Sequence, residues 1–366
     1  MRTLAVPLIA VLAAALVFNP APTLAQSPGG EAQAEIQPGS NWPRLIEIAF
    51  EGSDGFKLTG ELMLPVSEQG ARVPAMLLLP GSGPTDRNGN QPPALNTDLL
   101  KQIAERLAES GVATFRFDKR AVARYQSQWP ISDPEAMNEF FAFGHFVADA
   151  TAALRILRER DEIDPERIGI IGHSEGGLIA LSIGSRLRGT EAAPRTLVLL
   201  ATAGRTLDVV FREQITRQLG GADAPGADQF LAKLDEAVDA LKAREPLPDG
   251  LPAPLPGLFN PTTHNIWHAY FTIDPKDVAE SVEGDVLVLQ GGGDVQVSAS
   301  RDASRLLKAL AARDSGAVSV VIVPGVSHNL KPLKGPGDPG FAGPVAQEAL
   351  GAIVEWSRAR LIDSEQ

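Results

Sequence analysis

The 366-residue chain contains no cysteine, which excludes a disulfide, a thiolate zinc site, an iron–sulfur cluster and a cysteine nucleophile. It also lacks any excess of positive charge: 33 Lys and Arg stand against 45 Asp and Glu, a formal net charge of -12. That balance leaves no basic footprint for neutralising phosphates, so no nucleic-acid partner is expected. Aromatic polar residues are sparse, with four Trp and two Tyr, and no long apolar surface run stands out, which argues against work on bulk lipid interfaces. Only five histidines are available for acid–base chemistry. What is present is 44% hydrophobic residues, enough apolar chain for one large core or two modest ones.

The first segment reads as an address rather than as structure. Arg2 precedes an apolar run over residues 4–18, followed by Asn19-Pro20-Ala21-Pro22 and the small residues Thr23 and Ala25. This is the pattern of a secretory signal over 1–25 with cleavage after Ala25, and it predicts a periplasmic or secreted protein. The run is shorter than the roughly 20 residues of a membrane-spanning helix, and Pro7 interrupts it. An uncleaved anchor is the weaker alternative, and no stable membrane anchor is expected once the signal is removed. Residues 26–44 read as a loose linker. The absence of cysteine is compatible with export, because a domain of this size needs no covalent staples.

From residue 45 the hydrophobic pattern becomes regular. Segments 45–50 (LIEIAF) and 56–63 (FKLTGELM) alternate around Gly52-Ser53-Asp54-Gly55, which predicts an antiparallel hairpin with one wet face. Short apolar runs follow at 74–79, 112–117, 167–171, 196–200, 285–289 and 318–323, as expected of strands buried on both faces. Helix-period stretches lie between or after them, at 99–109, 149–160, 178–187, 303–312 and 345–361. Strands alternating with helices imply right-handed crossovers and a predominantly parallel sheet with helices on both faces. The expected fold class is therefore α/β, with an antiparallel N-terminal hairpin.

One interval breaks this rhythm. From 205 to 275 no convincing buried strand occurs, a gap far beyond the ~12–15 residues usual for a loop. Phe211, Ile215 and Leu219 recur at helical spacing, as do Leu231, Leu234, Val238 and Leu241. An inserted helical cap over 205–275 is expected, dividing the core into 45–204 and 276–366. The aromatic cluster Trp267, Tyr270 and Phe271 near its end suits either core packing or a pocket wall.

Chemistry concentrates at three strand ends. Gly172-His173-Ser174-Glu175-Gly176 has the form G-x-S-x-G and falls where a buried strand turns directly into a helix, the context that lifts a serine hydroxyl above the sheet as a nucleophile. A serine needs a base, and the base needs an orienting carboxylate. Asp294 follows the 285–289 strand through three glycines, and His328 follows the 318–323 strand. Each lies beyond a carboxyl end, where open parallel sheets place their sites. Asp302 is the fallback carboxylate. A developing oxyanion needs two fixed donors, and the backbone N–H groups of Glu175 and of Ser82, in Pro80-Gly81-Ser82-Gly83-Pro84, are the candidates. Asp86 and Arg87 read as a loop-ordering pair. His173, His145, His264 and His268 are assigned to packing or surface.

These residues together resemble the α/β-hydrolase superfamily, in particular bacterial serine esterases and acyl hydrolases near the serine-aminopeptidase-like branch. Besides the serine motif, the resemblance rests on Gly81-Ser82-Gly83-Pro84 with Asp86-Arg87, on Arg116-Phe117-Asp118-Lys119-Arg120, on Leu289-Gln290-Gly291 through Asp294, Gln296 and Val297, and on Tyr270-Phe271 with Asp274-Pro275. It implies a sheet of about eight strands, a cap over the site and neither cofactor nor metal. One departure is the Ala121-Val122-Ala123-Arg124 stretch, where related chains continue with glycines; it puts the pocket's shape in question.

The expected activity is hydrolysis of a small-molecule ester through Ser174, Asp294 and His328, with neutral substrates favoured by the acidic surface. Rival readings are an aminopeptidase, for which Asp235, Glu236 and Asp239 are possible sources of an amine clamp although they read as a solvated helix face, a thioesterase on the same triad, and a non-catalytic binding module. Haloalkane dehalogenase and epoxide hydrolase chemistry would need a carboxylate where Ser174 stands.

Overall fold

The computed structural model describes residues 43–68, 70–335 and 337–363. The expected signal segment, its cleavage point and the linker up to residue 42 lie outside the described residues. A single eight-stranded sheet runs in the order β1-β2-β4-β3-β5-β6-β7-β8. Its strands are β1 (Arg44–Glu51), β2 (Lys57–Leu64), β3 (Val73–Leu79), β4 (Ala113–Phe117), β5 (Ile163–His173), β6 (Thr196–Leu200), β7 (Asp285–Gly291) and β8 (Val318–Val323). The helices are α1 (Leu99–Glu109), α2 (Pro134–Phe140), α3 (Phe143–Arg158), α4 (Glu175–Arg186), α5 (Leu207–Gln218), α6 (Ala227–Ala243), α7 (Leu255–Leu258), α8 (His264–Thr272), α9 (Pro275–Glu280), α10 (Ser304–Ala311) and α11 (Gln347–Leu361).

β1 pairs antiparallel with β2, and β2 antiparallel with β4, while every other neighbour is parallel. The hairpin thus enters at one edge, as its alternating sequence requires. The central runs bury both faces because successive side chains leave the sheet in opposite directions. Leu77 and Leu79 pack with Ile170, Leu197, Leu199 and Val288 on the side of α3, α4 and α10. Met76 and Leu78 pack with Ile171, Val198, Leu200 and Leu289 on the side of α1 and α11. β8 departs from expectation. It is the other edge strand, with Val318 to Val321 half-buried and Ile322 41% exposed, because only β7 flanks it.

α1 has the bounds its periodicity predicts, burying Leu99, Leu100, Ile103, Ala104, Leu107 and Ala108 on one stripe. α3 starts six residues before its expected position, since Phe143, Phe146 and Val147 extend the same apolar face as Ala150, Ala153, Leu154 and Leu157. Between β6 and β7 the chain forms α5 to α9. Phe211 and Ile215 of α5 and Leu231, Leu234, Val238 and Leu241 of α6 are buried. The aromatic cluster divides between the two roles left open for it. Trp267 stacks with Phe259 at 5.1 Å, Phe271 at 5.3 Å and Phe211 at 5.6 Å, filling the core, whereas Tyr270 is both buried and part of a cavity wall.

A buried ion pair fastens α3 to the segment after β4. Arg120 donates through Nε to Asp149 Oδ2 at 2.7 Å and through Nη2 to Oδ1 at 2.8 Å, with the side chains 1% and 2% exposed. Asp149 also accepts the Ser53 N–H at 2.7 Å, tying in the β1–β2 turn. Removing one member leaves a desolvated charge without its partner, so Asp149→Ala is expected to lose about 3–5 kcal/mol in urea unfolding. A loss under about 1 kcal/mol would show that the pair does not hold these elements together.

Candidate active site

The nucleophile candidate sits in a strained elbow. Ser174 joins β5 to α4 with φ 54° and ψ -115°, a conformation that costs a non-glycine residue on the order of 1–3 kcal/mol and survives only where the surroundings enforce it. The enforcement comes from close backbone packing. A Cβ on Gly172 would stand 2.1 Å from the Gly176 carbonyl oxygen, and one on Gly176 would stand 2.4 Å from that of Leu79. Only glycine therefore allows the first turn of α4 to press against β5 and the end of β3. The Ser174 N–H is used by the Leu200 carbonyl at 2.8 Å, which anchors the elbow to β6.

Asp294 and His328 come together from the ends of β7 and β8. His328 Nδ1 lies 2.7 Å from Asp294 Oδ2, and the carboxylate is fully buried. Every other contact to Asp294 is also a donor: Gln290 Nε2 at 2.6 Å, the Gln296 N–H at 2.7 Å and the Val297 N–H at 3.0 Å. An ionised carboxylate accepts only, so His328 carries its proton on Nδ1 and leaves Nε2 free as an acceptor. The fallback Asp302 is committed elsewhere, to Arg205 at 2.8 Å and to the N–H groups of Gly204, Arg205 and Ser298.

Ser174 and His328 line one cavity of about 1090 Å³, counted with its open mouth, and so do Ser82 and Glu175. Ser174 Oγ makes no hydrogen bond among the described residues. The backbone N–H groups of Ser82 and Glu175 likewise have no partner among the described residues. Leu207, Val210 and Tyr270 of the segment between β6 and β7 close part of the wall, with Leu178, Val297 and Phe341 from elsewhere. Its charged lining side chains are compensated: Arg205 by Asp302 and Glu213, Glu175 by Lys119. Tyr270 stands beside the Glu175 carboxylate without reaching hydrogen-bond geometry, and its burial, with that charge, holds the phenol well above its usual range.

Several expectations need correction. Asp86 and Arg87 do not pair with each other, because adjacent residues in this turn face different neighbours. Asp86 accepts the N–H groups of Asn88 at 2.8 Å and Asn90 at 2.9 Å, while Arg87 pairs with Asp118 at 2.8 Å and Glu47 at 2.6 Å. The divergent stretch 121–124 is absent from the cavity lining; Arg124 instead joins Asp118 at 2.7 Å. Asp235, Glu236 and Asp239 do form the solvated helix face their sequence suggests: Asp235 and Glu236 pair with Arg212 and Lys233, and none of the three lines the cavity.

Two residues of the site were not anticipated. His173 is buried against His328, with ring centroids 4.9 Å apart and Nε2 3.0 Å from the His328 carbonyl oxygen. Burial first, then the neighbouring imidazole, pushes its pKa down to about 3. The carbonyl accepts only, so the neutral ring donates from Nε2 and braces the loop that carries His328. Lys119, at the end of β4, bonds both Gly81 and Glu175. Position alone held a signal for each: His173 adjoins the serine, and Lys119 follows a strand's carboxyl end. The remaining histidines are structural: His145 bonds Ser53, His264 bonds Phe259 and His268 bonds Leu241.

Residues 96–246 match a protein-family model described as serine aminopeptidase, S33. Comparison with curated proteins found no match. Among solved structures, Est1E from Butyrivibrio proteoclasticus is similar at 17% identity and TM-score 0.51, over 85% of this chain and 98% of that one. The Pyrococcus horikoshii acylaminoacyl peptidase is similar at 14% identity and TM-score 0.52, over 87% of this chain and 42% of that one. A 2,6-dihydroxy-pseudo-oxynicotine hydrolase is similar at 16% identity and TM-score 0.52, over 88% and 69% respectively. At these identities the likeness is one of fold.

The His173 environment predicts a pH dependence of stability. In the folded chain the ring stays neutral down to about 3, against an ordinary value of 6.5. Below 6.5 the unfolded chain binds a proton that the folded chain refuses, so this contribution is intact above 6.5 and is lost as the pH falls toward 3. The expected loss is up to about 1.4 kcal/mol per pH unit. Urea unfolding between about pH 7 and 4.5 should show a shallower acid slope for His173→Gln than for the parent chain; equal slopes would refute this origin.

Proposed function

We propose, for a chain that has the α/β-hydrolase fold and matches the serine aminopeptidase model over its central part, that it is a serine hydrolase cleaving carboxylic esters of small neutral substrates. The observation that carries this reading is the His328 ring, oriented by Asp294 at 2.7 Å and lining the same cavity as Ser174.

His328 Nε2 takes the Ser174 proton as Oγ attacks the ester carbonyl carbon. The negative oxygen of the tetrahedral intermediate accepts hydrogen bonds from the N–H groups of Ser82 and Glu175, which no other group among the described residues uses. The imidazolium then protonates the departing alcohol, leaving Ser174 acylated. Water attacks the acyl carbon, giving its proton to His328, and collapse releases the acid and restores the Ser174 hydroxyl. Asp294 stays ionised throughout, holding the tautomer and stabilising the imidazolium. Ser174 Oγ and His328 Nε2 make no hydrogen bond with each other, and such contacts commonly tighten in the Michaelis complex.

Two features favour neutral esters over aminoacyl amides. Glu175, an acid lining the cavity, is already paired with Lys119 at 2.9 Å, and the acids of α6 lie outside it. A substrate ammonium would therefore find no free carboxylate partner on these groups. The apolar wall and compensated charges suit an uncharged acyl group. A chain exported by its N-terminal segment and cleaved after Ala25 would meet such esters outside the cytoplasm.

Ser174→Ala is expected to remain folded and to lose roughly 10³-fold or more in kcat on p-nitrophenyl esters, together with fluorophosphonate labelling. Full activity in that variant would overturn the assignment. Labelling of the parent chain without ester turnover would redirect the search to aminoacyl amides. Asp294→Asn should fall by about 10⁴-fold in kcat, since the wrong histidine tautomer results; normal turnover would remove Asp294 from the mechanism.

A further inference from the structure

Lys119 carries an ammonium group in a nearly closed setting, with its side chain 4% exposed. Nζ donates to the Gly81 carbonyl at 3.0 Å and to Glu175 Oε1 at 2.9 Å, and it lies 4.8 Å from the centroid of the Phe146 ring. A lysine used only to neutralise Glu175 would not need the carbonyl. The identity of that carbonyl matters: it belongs to the peptide whose nitrogen is that of Ser82.

A trans peptide is planar, so its C=O and N–H point in opposite directions. An ammonium on the Gly81 oxygen therefore fixes where the Ser82 N–H points. It also draws electron density toward that oxygen, making the N–H a stronger donor. The next peptide is pinned independently: the Ser82 carbonyl accepts Thr85 Oγ1 at 2.7 Å and Gln91 Nε2 at 2.8 Å. Through Glu175, the same ammonium holds the side chain of the residue that offers the other free N–H. The two segments that carry these donors, the loop after β3 and the start of α4, are thus both tied to one cation that follows β4.

We infer that Lys119 is the positioning residue of the oxyanion hole, setting the Gly81–Ser82 peptide and the Glu175 side chain so that both N–H groups meet the developing negative oxygen. The inference rests on the serine hydrolase reading and deepens it. Its effect belongs to the tetrahedral state, where charge appears on the oxygen, rather than to binding of the neutral ester.

The test uses Lys119→Met, the uncharged pair Lys119→Met with Glu175→Gln, and Lys119→Arg, each compared with the parent chain on p-nitrophenyl esters. A phenylboronic acid, which forms a tetrahedral serine adduct, serves as the second probe. Outright removal of an oxyanion donor costs on the order of 10²–10³ in kcat, so loss of its positioning should cost roughly 10-fold or more. KM should stay within about threefold, boronate affinity should weaken in parallel with kcat, and Lys119→Arg should recover part of both. If Lys119→Met alone does not fold with Glu175 left unpaired, the uncharged pair decides the matter. A folded pair with unchanged kcat and boronate affinity overturns the inference, as does a change confined to KM, or a pair that cannot fold and so marks Lys119 as a stability element. The two failures separate cleanly: Ser174-independent turnover sinks the hydrolase reading, whereas Ser174-dependent turnover that ignores Lys119 sinks only this inference.

Discussion

The approach of the α4 backbone to β5 and to the end of β3 is the constraint on which the rest of the molecule depends. It exists only because Gly172 and Gly176 have no Cβ to collide with neighbouring carbonyls. A residue at Gly177 would fare no better, since its Cβ would fall 1.9 Å from Thr202 Oγ1 at the end of β6. Once the helix is that close, the chain has no room for an ordinary turn. Ser174 is forced into its positive-φ conformation, and its hydroxyl stands at the carboxyl edge of the sheet. The cavity, the histidine loop and the segment between β6 and β7 are all arranged around that point.

A second layer of organisation lies just behind the elbow and is electrostatic. Asp118, Lys119 and Arg120 follow β4 in succession, and each takes a partner from a different element: Arg87 after β3, Glu175 at the start of α4 and Asp149 within α3. All six side chains are at most 10% exposed. Desolvating so many charges is tolerable only because each has close donors or acceptors, and a residue lacking its partner would be strongly disfavoured. Such an arrangement specifies geometry more than it adds stability. It ties the loop bearing Ser82 and the elbow bearing Glu175 to the same strand end. A comparable pair, Arg205 with Asp302, joins the start of the segment between β6 and β7 to the helical turn that follows β7.

Much of this was legible beforehand because the relevant signals are local. β6 and β8 occupy the predicted runs, since a short β-rich apolar stretch has few alternatives. The start of α3 was missed because Phe143 and Phe146 are separated from the clear periodicity by polar and small residues, and only packing reveals that they share its face. The half-buried state of β8 was missed because strand order, not composition, decides which strand is an edge. His173 reads from sequence as packing or surface, since a histidine between glycine and serine carries no mark of the carbonyl it meets 155 residues further along.

By itself the sequence determined the α/β alternation, the antiparallel entry, the glycine-serine elbow and the order of Ser174, Asp294 and His328 along the chain. These follow from residue-by-residue properties: side-chain period, the missing Cβ of glycine and the chemistry a serine requires. Only the tertiary structure decided that Asp294 rather than Asp302 meets His328, that Asp86 and Arg87 part company, and that Lys119 reaches both Gly81 and Glu175. Apart from the local turn that Asp86 closes with Asn88 and Asn90, those outcomes turn on a distance of a few ångströms between residues far apart in sequence. The packing of the whole sheet sets that distance, and no local pattern encodes it.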